Sequence, residues 1–268
     1  MSSVLEIPTY LNMVASGSGA RALENAPNFL QEAKEISGTE TPVVLTIGTA
    51  EPNLEWYDKF VELSKRKYVE LGATVINLHG FRTAPSEQEI TDKCAVADII
   101  RVAGGDTAYM LERWQEYGIT PELEKAALRG AVLDGGSAAF LAWLKSGHSD
   151  SLSYRIAKGE AWDYIFVPGL NFVNAVGCPH YDAATEGNVL REVDFTRKWL
   201  ADDTLPDFAI CIDNMAALAL KGGLYKALAA PDSEFPRAGV HVLTKQDWQI
   251  TTHTLPVNES YQNLTLYT

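Results

Sequence analysis

Short apolar runs closed by turn residues alternate with longer stretches whose apolar residues recur at helical spacing, and this alternation constrains the fold more than any other feature of the chain. Tyr10–Ala15, Pro42–Ile47, Thr74–Leu78, Asp98–Val102 and Ala131–Asp134 read as buried strands. Leu23–Ile36, Leu54–Leu71, Ser86–Ala95, Thr107–Tyr117 and Glu122–Leu128 read as helices. Alternating β and α elements imply a mostly parallel sheet covered on both faces, an α/β, three-layer, doubly wound architecture. Phe208–Ile212, Ala216–Leu220, His241–Thr244 and Trp248–Thr254 make the last third a β-rich, antiparallel extension, and Ser146–Trp162 reads as a polar loop. No repeat or linker interrupts the pattern, so residues 1–268 are expected to form one domain.

The net charge is −13, which argues against nucleic acid or an anionic membrane as partner, because both need clustered Lys and Arg. Cys94, Cys178 and Cys211 are few, widely spaced and without a CxxC, the pattern of reduced thiols. No basic segment precedes an apolar run at Met1, and no stretch is long and apolar enough for a membrane helix. A cytoplasmic protein is the expectation.

In such a sheet the chemistry belongs to the turns at the carboxyl ends of the strands. Ala131-Val-Leu-Asp-Gly-Gly-Ser-Ala-Ala-Phe-Leu-Ala-Trp-Leu144 runs from an apolar strand through a small-residue turn into an apolar helix. That is a nucleophile elbow of G-x-S-x-G form with Ala139 as its last member, and Ser137 is the candidate nucleophile. Ala138 N–H, at the positive end of the helix, is a candidate oxyanion donor. Asp98-Ile-Ile-Arg-Val-Ala-Gly-Gly-Asp-Thr107 brings a second glycine turn to the same cleft, where Gly104 or Gly105 can offer another N–H and Asp106 or Thr107 can cap the next helix.

A serine needs a base. His180, in Val176-Gly-Cys-Pro-His-Tyr-Asp182, sits behind a proline that fixes the chain and is favoured over His148, in Ser146-Gly-His-Ser-Asp-Ser151. The group that orients the base is left open among Asp182, Asp213 and Asn214; a carboxylate would stabilise the imidazolium, whereas an asparagine would fix the tautomer without adding charge.

Taken together these segments resemble the aspartyl dipeptidase (peptidase E) family, which includes cyanophycinases and has a class I glutamine amidotransferase-like fold. The matching pieces are Gly-Gly-Asp-Thr at 104–107, Gly-Gly-Ser-Ala-Ala at 135–139, Ser-Gly-His-Ser-Asp-Ser at 146–151, Gly-Leu-Asn at 169–171, Cys-Pro-His-Tyr-Asp at 178–182 and Ile-Asp-Asn-Met-Ala-Ala-Leu at 212–218. The resemblance implies serine-dependent hydrolysis of a small peptide, typically one with an N-terminal aspartate, without metal or organic cofactor, and a homodimer. It assigns Ser137 as nucleophile and His180 as base, and it makes Asp150 a candidate for the substrate's amino group; Asp106 and His148 are further candidate substrate contacts. The chain departs from the family pattern at Ala139, at Asn214 where an acid is expected, and in having no arginine in Asp182–Leu190, so that Arg191 is the first candidate to read an aspartate.

Two rival readings stand beside this one. Gly17-Ser-Gly-Ala-Arg-Ala22 fits a dinucleotide-binding G-x-G-x-x-A, but the second strand ends in Thr46-Ile-Gly-Thr-Ala50 and Glu51 comes too late to hold a ribose. The departures at Asn214 and Arg191 also fit a relative that kept the fold and lost turnover.

Overall fold

The computed structural model describes residues 5–51, 53–81, 83–157, 160–184, 189–231 and 238–264. The first half alternates as expected: β1 (Asn12–Ser16), α1 (Ala20–Asn25), α2 (Pro27–Ser37), β2 (Val43–Ile47), α3 (Leu54–Glu70), β3 (Thr74–Leu78), α4 (Glu87–Val96), β4 (Ile99–Val102), α5 (Thr107–Tyr117), α6 (Ile119–Leu128), β5 (Val132–Gly136) and α7 (Ala138–Trp143). There follow β6 (Leu144–Ser149), a 3-10 turn at Ser151–Tyr154, β7 (Ile165–Pro168), β8 (Val173–Pro179), α8 (Arg191–Leu200), β9 (Phe208–Ile212), β10 (Ala216–Lys221), β11 (Leu224–Ala229), β12 (Val240–Gln246), β13 (Gln249–Leu255) and β14 (Gln262–Asn263).

Local chemistry explains the boundaries. Asn53, Ser86 and Asp106 cap α3, α4 and α5, each accepting a backbone N–H from the first turn. The expected helix over Leu23–Ile36 is two helices, because Pro27 cannot continue α1 and instead opens α2 at its first position. Ser146–Trp162 is only partly a loop. Leu144–Ser149 is a strand in which every residue but Lys145 is buried, and its small and polar residues conceal it from a reading based on hydrophobic pattern.

Among the described residues the strands form two sheets rather than one extended sheet. The first runs β14-β11-β10-β1-β5-β4-β2-β3 and the second β13-β12-β9-β8-β6-β7. The central strands β1, β5, β4, β2 and β3 are mutually parallel, as are β6, β8 and β9. The antiparallel strands β10 and β11 extend the first sheet, and the β12–β13 hairpin extends the second. The α/β class and the β-rich C-terminal region are as expected. No helix among the described residues is long and apolar enough to cross a membrane, and the three cysteines are buried and free.

Strand ends from both sheets converge. The His180 N–H donates to Gly17 O at 3.2 Å, Tyr181 N–H to Ile212 O at 3.1 Å and Ser137 N–H to Ser16 O at 3.1 Å, so the loops after β1, β5, β8 and β9 are laced together. Just before the elbow, Asp134 accepts from Arg101 Nη1 at 2.9 Å and from the Tyr68 hydroxyl. Both members of this ion pair are buried, and burial together with the Asp134 charge keeps Tyr68 protonated as a donor. Removing Asp134 would leave Arg101 buried without its counter-ion, so Asp134→Ala is expected to destabilise the protein by about 3–5 kcal/mol. A denaturant-unfolding midpoint that stays at the wild-type value would contradict this.

Candidate active site

The serine turn is held in an unusual backbone conformation. Ser137 has φ 56° and ψ −117°, a region that costs a non-glycine residue of order 1–3 kcal/mol and is found where structure holds a side chain in a functional position. The turn packs tightly on both sides. A Cβ on Gly135 would come 2.5 Å from the Ala139 Cβ and 2.8 Å from Val102 O, so glycine is needed at 135, whereas Ala139 is itself a buried helical residue and fits. Every residue of α7 is buried, which anchors the turn from the other end.

Ser137 Oγ lies 3.1 Å from His180 Nε2, and His180 Nδ1 lies 2.7 Å from Asn214 Oδ1. Asn214 is itself fixed, because its backbone N–H and its Nδ2 both donate to Asp182 Oδ1 at 2.8 Å. The amide nitrogen must therefore face Asp182 and the amide oxygen His180; reversing them would set two acceptors against each other. Ser18 Oγ adds a further donor to Asn214 Oδ1 at 3.0 Å while accepting Met215 N–H at 3.2 Å. Since Asn214 Oδ1 can only accept, His180 carries its proton on Nδ1 and presents a lone pair at Nε2 to the Ser137 hydroxyl. Burial pushes the His180 imidazole down to about 4, and the Arg191 charge adds to this. Above that pH the ring is neutral and able to take a proton.

Ser137 and His180 open onto a cleft of about 490 Å³ that also exposes Gly104, Gly105, Glu51, Asn53, Trp56 and Tyr154. A Cβ on Gly104 would lie 3.3 Å from the Ser137 Cβ, so this backbone is next to the Ser137 side chain, and Ala138 is the first residue of α7. The β2–α3 loop is pinned to the same turn by Asp106 N–H donating to Ala50 O at 2.9 Å.

The other expected site residues are placed differently. Asp213 does not reach His180: its Oδ2 accepts from Gly239 N–H and His241 Nε2, both at 3.0 Å, and ties the end of β9 to β12. His148 is fully buried, with Nε2 2.9 Å from Asp194 Oδ2 and its ring stacked on Tyr164, which makes it a packing residue beneath α8 rather than a substrate contact. Asp106 is buried and caps α5 through Tyr109 N–H at 3.1 Å. Asp150 opens the turn that carries Tyr154 to the cleft; burial raises the Tyr154 hydroxyl, and the Asp150 charge raises it further and works against the lowering of His180. Arg191 is buried, donating to the His148 carbonyl and stacking 4.6 Å above the Tyr164 ring.

The cleft also holds residues that the sequence pattern does not assign to it. Glu51, too late in the chain for a ribose, lines it. Asn53, Trp56 and Tyr154 carry no motif; only the cap position of Asn53 and the exposure of an aromatic in the first turn of α3 mark them. The Gly17-Ser-Gly motif has a different use from nucleotide binding. A Cβ on Gly17 would come 2.1 Å from Asp213 O, so the glycine lets the loop after β1 pass against the end of β9 and deliver Ser18 to Asn214.

Comparison with known proteins gives the arrangement a context. The profile of peptidase family S51 matches residues 13–226, from β1 through β11. The uncharacterized peptidase YgaJ of Bacillus subtilis (strain 168) is 27% identical over 173 residues, which is 63% of this chain and 68% of that protein. The crystal structure of a peptidase from an acI-B1 Actinobacterium superposes with a TM-score of 0.70 at 18% identity, covering 95% of this chain and 97% of the other, a likeness of fold. With that match over most of its length, the chain belongs to peptidase family S51.

Proposed function

We propose that this member of the family is a serine peptidase of small peptides, dipeptidase-like, in which Ser137 is the nucleophile, His180 the base and Asn214, held by Asp182, the group that orients the base. The observation that carries this reading is the hydrogen-bonded series Ser137–His180–Asn214–Asp182 at a strained turn. Ser137 Oγ attacks the scissile carbonyl carbon as its proton passes to His180 Nε2, and the carbonyl oxygen takes up the charge against N–H groups of Ala138 and of the Gly104–Gly105 turn. Collapse of the intermediate breaks the C–N bond; the amine leaves with the proton from Nε2. Water, deprotonated by the same nitrogen, then hydrolyses the seryl ester.

A relative without turnover is a poorer reading, because the departure at Asn214 leaves the hydrogen bonds to His180 intact. Nor does an aspartyl preference find support at Arg191, which does not line the cleft and whose Nη2 donates to the His148 carbonyl, although its Nε has no hydrogen-bond partner among the described residues.

Three measurements test the reading. A serine-directed fluorophosphonate should modify Ser137 in the wild type and leave Ser137→Ala and His180→Ala unlabelled; labelling elsewhere, or none of the folded wild type, would sink the proposal. The rate of that labelling should hold through the ordinary histidine range and drop only near pH 4, because the folded-state imidazole stays neutral down to about 4 rather than to its ordinary 6.5. An acid limb centred in the ordinary histidine range would contradict the assignment of His180 in this state. Asp182→Ala frees the Asn214 amide to turn its NH₂ toward Nδ1 and favour the wrong tautomer, which should slow labelling by roughly a hundredfold or more. A wild-type rate in that variant would remove Asp182 from the mechanism.

A further inference from the structure

Beside the Ser137 cleft lies a second chamber of about 440 Å³, a volume in the range of ligand sites. The two are contiguous, since Gly19, Ala20, Glu51, Trp56 and Gly104 line both. Trp56, Phe60 and Leu63, on one face of α3, form the apolar part of the chamber's lining, beside Glu24, Lys59, Glu62 and Arg66. Trp56 stands 55% exposed, with Lys59 Nζ 4.7 Å from the centroid of its ring.

Each cation around this chamber has an acidic neighbour: Arg101 Nη1 pairs with Asp134 at 2.9 Å while its Nε has no hydrogen-bond partner among the described residues, Lys59 pairs with Glu55 at 2.7 Å and Arg66 faces Glu24 at 3.8 Å. Glu51 stands at the sill between the two spaces, its carboxyl group without a hydrogen-bonding or ionic partner among the described residues, and burial pushes that carboxyl up to about 7. A carboxyl that resists ionisation at the entrance lets an apolar side chain pass without stripping water from a charge.

We propose that the chamber is the subsite for a bulky apolar side chain, of the phenylalanine or leucine class, on the acyl side of the scissile bond. The proposal rests on the serine peptidase reading above. The side of the bond follows from the proton path. The leaving amine has to face His180 Nε2, from which it takes its proton, and His180 does not line the chamber. Gly104 does, and its turn lies where the scissile carbonyl oxygen would be held. The α-carbon bonded to that carbonyl therefore has its side chain directed past Gly104 and over the Glu51 sill. Substrate choice then depends on area buried against Trp56, Phe60 and Leu63.

The test uses protection of Ser137 from fluorophosphonate labelling, which reads binding whether or not a peptide is turned over. Phe-Ala, Leu-Ala, Ala-Ala, Asp-Ala and Ala-Phe are compared, each normalised to the labelling rate of the same variant without peptide. Phe-Ala and Leu-Ala should protect at concentrations at least roughly tenfold below those of Ala-Ala and Asp-Ala. Leu63→Trp, which fills the chamber, and Trp56→Ala, which opens its wall, should both shrink that ratio toward one. Equal protection by all peptides, a preference for Asp-Ala or for Ala-Phe, or a Phe-Ala advantage surviving both substitutions would overturn the proposal while the labelled Ser137 left the peptidase reading standing. Absence of labelling in the folded wild type would remove both.

Discussion

The site depends first on a backbone constraint: the chain must turn through a left-handed conformation at the very points where it presents the side chains of the candidate site. Ser137, His180 and Met215, the last directly after Asn214, all have positive φ, at 56°, 49° and 60°. None is a glycine, so each conformation has to be held by its surroundings. At Ser137 the support is Ser16 O, which takes its N–H, and the buried helix α7, whose Leu141 N–H returns to Ser137 O. At His180 it is Gly17 O, which reaches across from the other sheet. At Met215 it is the Ser18 hydroxyl. The end of β1 and the loop after it touch all three segments, through Ser16, Gly17 and Ser18, and a shift there would displace Ser137, His180 and Asn214 together.

The fold is legible because burial writes a period into the sequence. Val43–Ile47 and Ile99–Val102 are nearly continuous apolar runs, as expected for parallel strands covered on both faces, and they appear where the pattern puts them. Leu144–Ser149 is illegible for the same reason: Ser146, Gly147, His148 and Ser149 are buried through close packing and hydrogen bonds rather than through apolar bulk. His148 shows how such a segment misleads. Read as a loop it looks available for substrate, but as a strand residue it lies under α8 with its polar nitrogen satisfied by Asp194.

Asp213 and Asn214 set a different limit. Both stand at the end of β9, and nothing in their order says which faces the histidine. β9 ends at Ile212 and Asn214 lies in the turn that follows, so strand alternation does not reach the pair and the conformation of that turn decides which of them meets the histidine. Asp213 turns to His241 and Gly239; Asn214 turns to His180. The partner that makes Asn214 effective, Asp182, lies 32 positions earlier in the chain, and no local pattern announces the pairing.

An amide in the third position changes the electrostatics of the site more than its geometry. A carboxylate against Nδ1 would draw the imidazole toward its protonated form; Asn214 offers only a dipole, and the nearest negative charge of the series is one residue further out on Asp182. Burial and Arg191 therefore prevail, and His180 stays neutral to about pH 4. The ring is ready to accept a proton at neutral pH, but an imidazolium formed in the proposed reaction has less compensation than a directly paired carboxylate would give. Polarisation of the Asn214 amide by Asp182 restores part of that compensation, because the donation from Nδ2 increases the negative character of Oδ1. The arrangement exchanges some stabilisation of the charged intermediate for a base whose tautomer is fixed in the resting state by Ser18, Asn214 and Asp182 acting together.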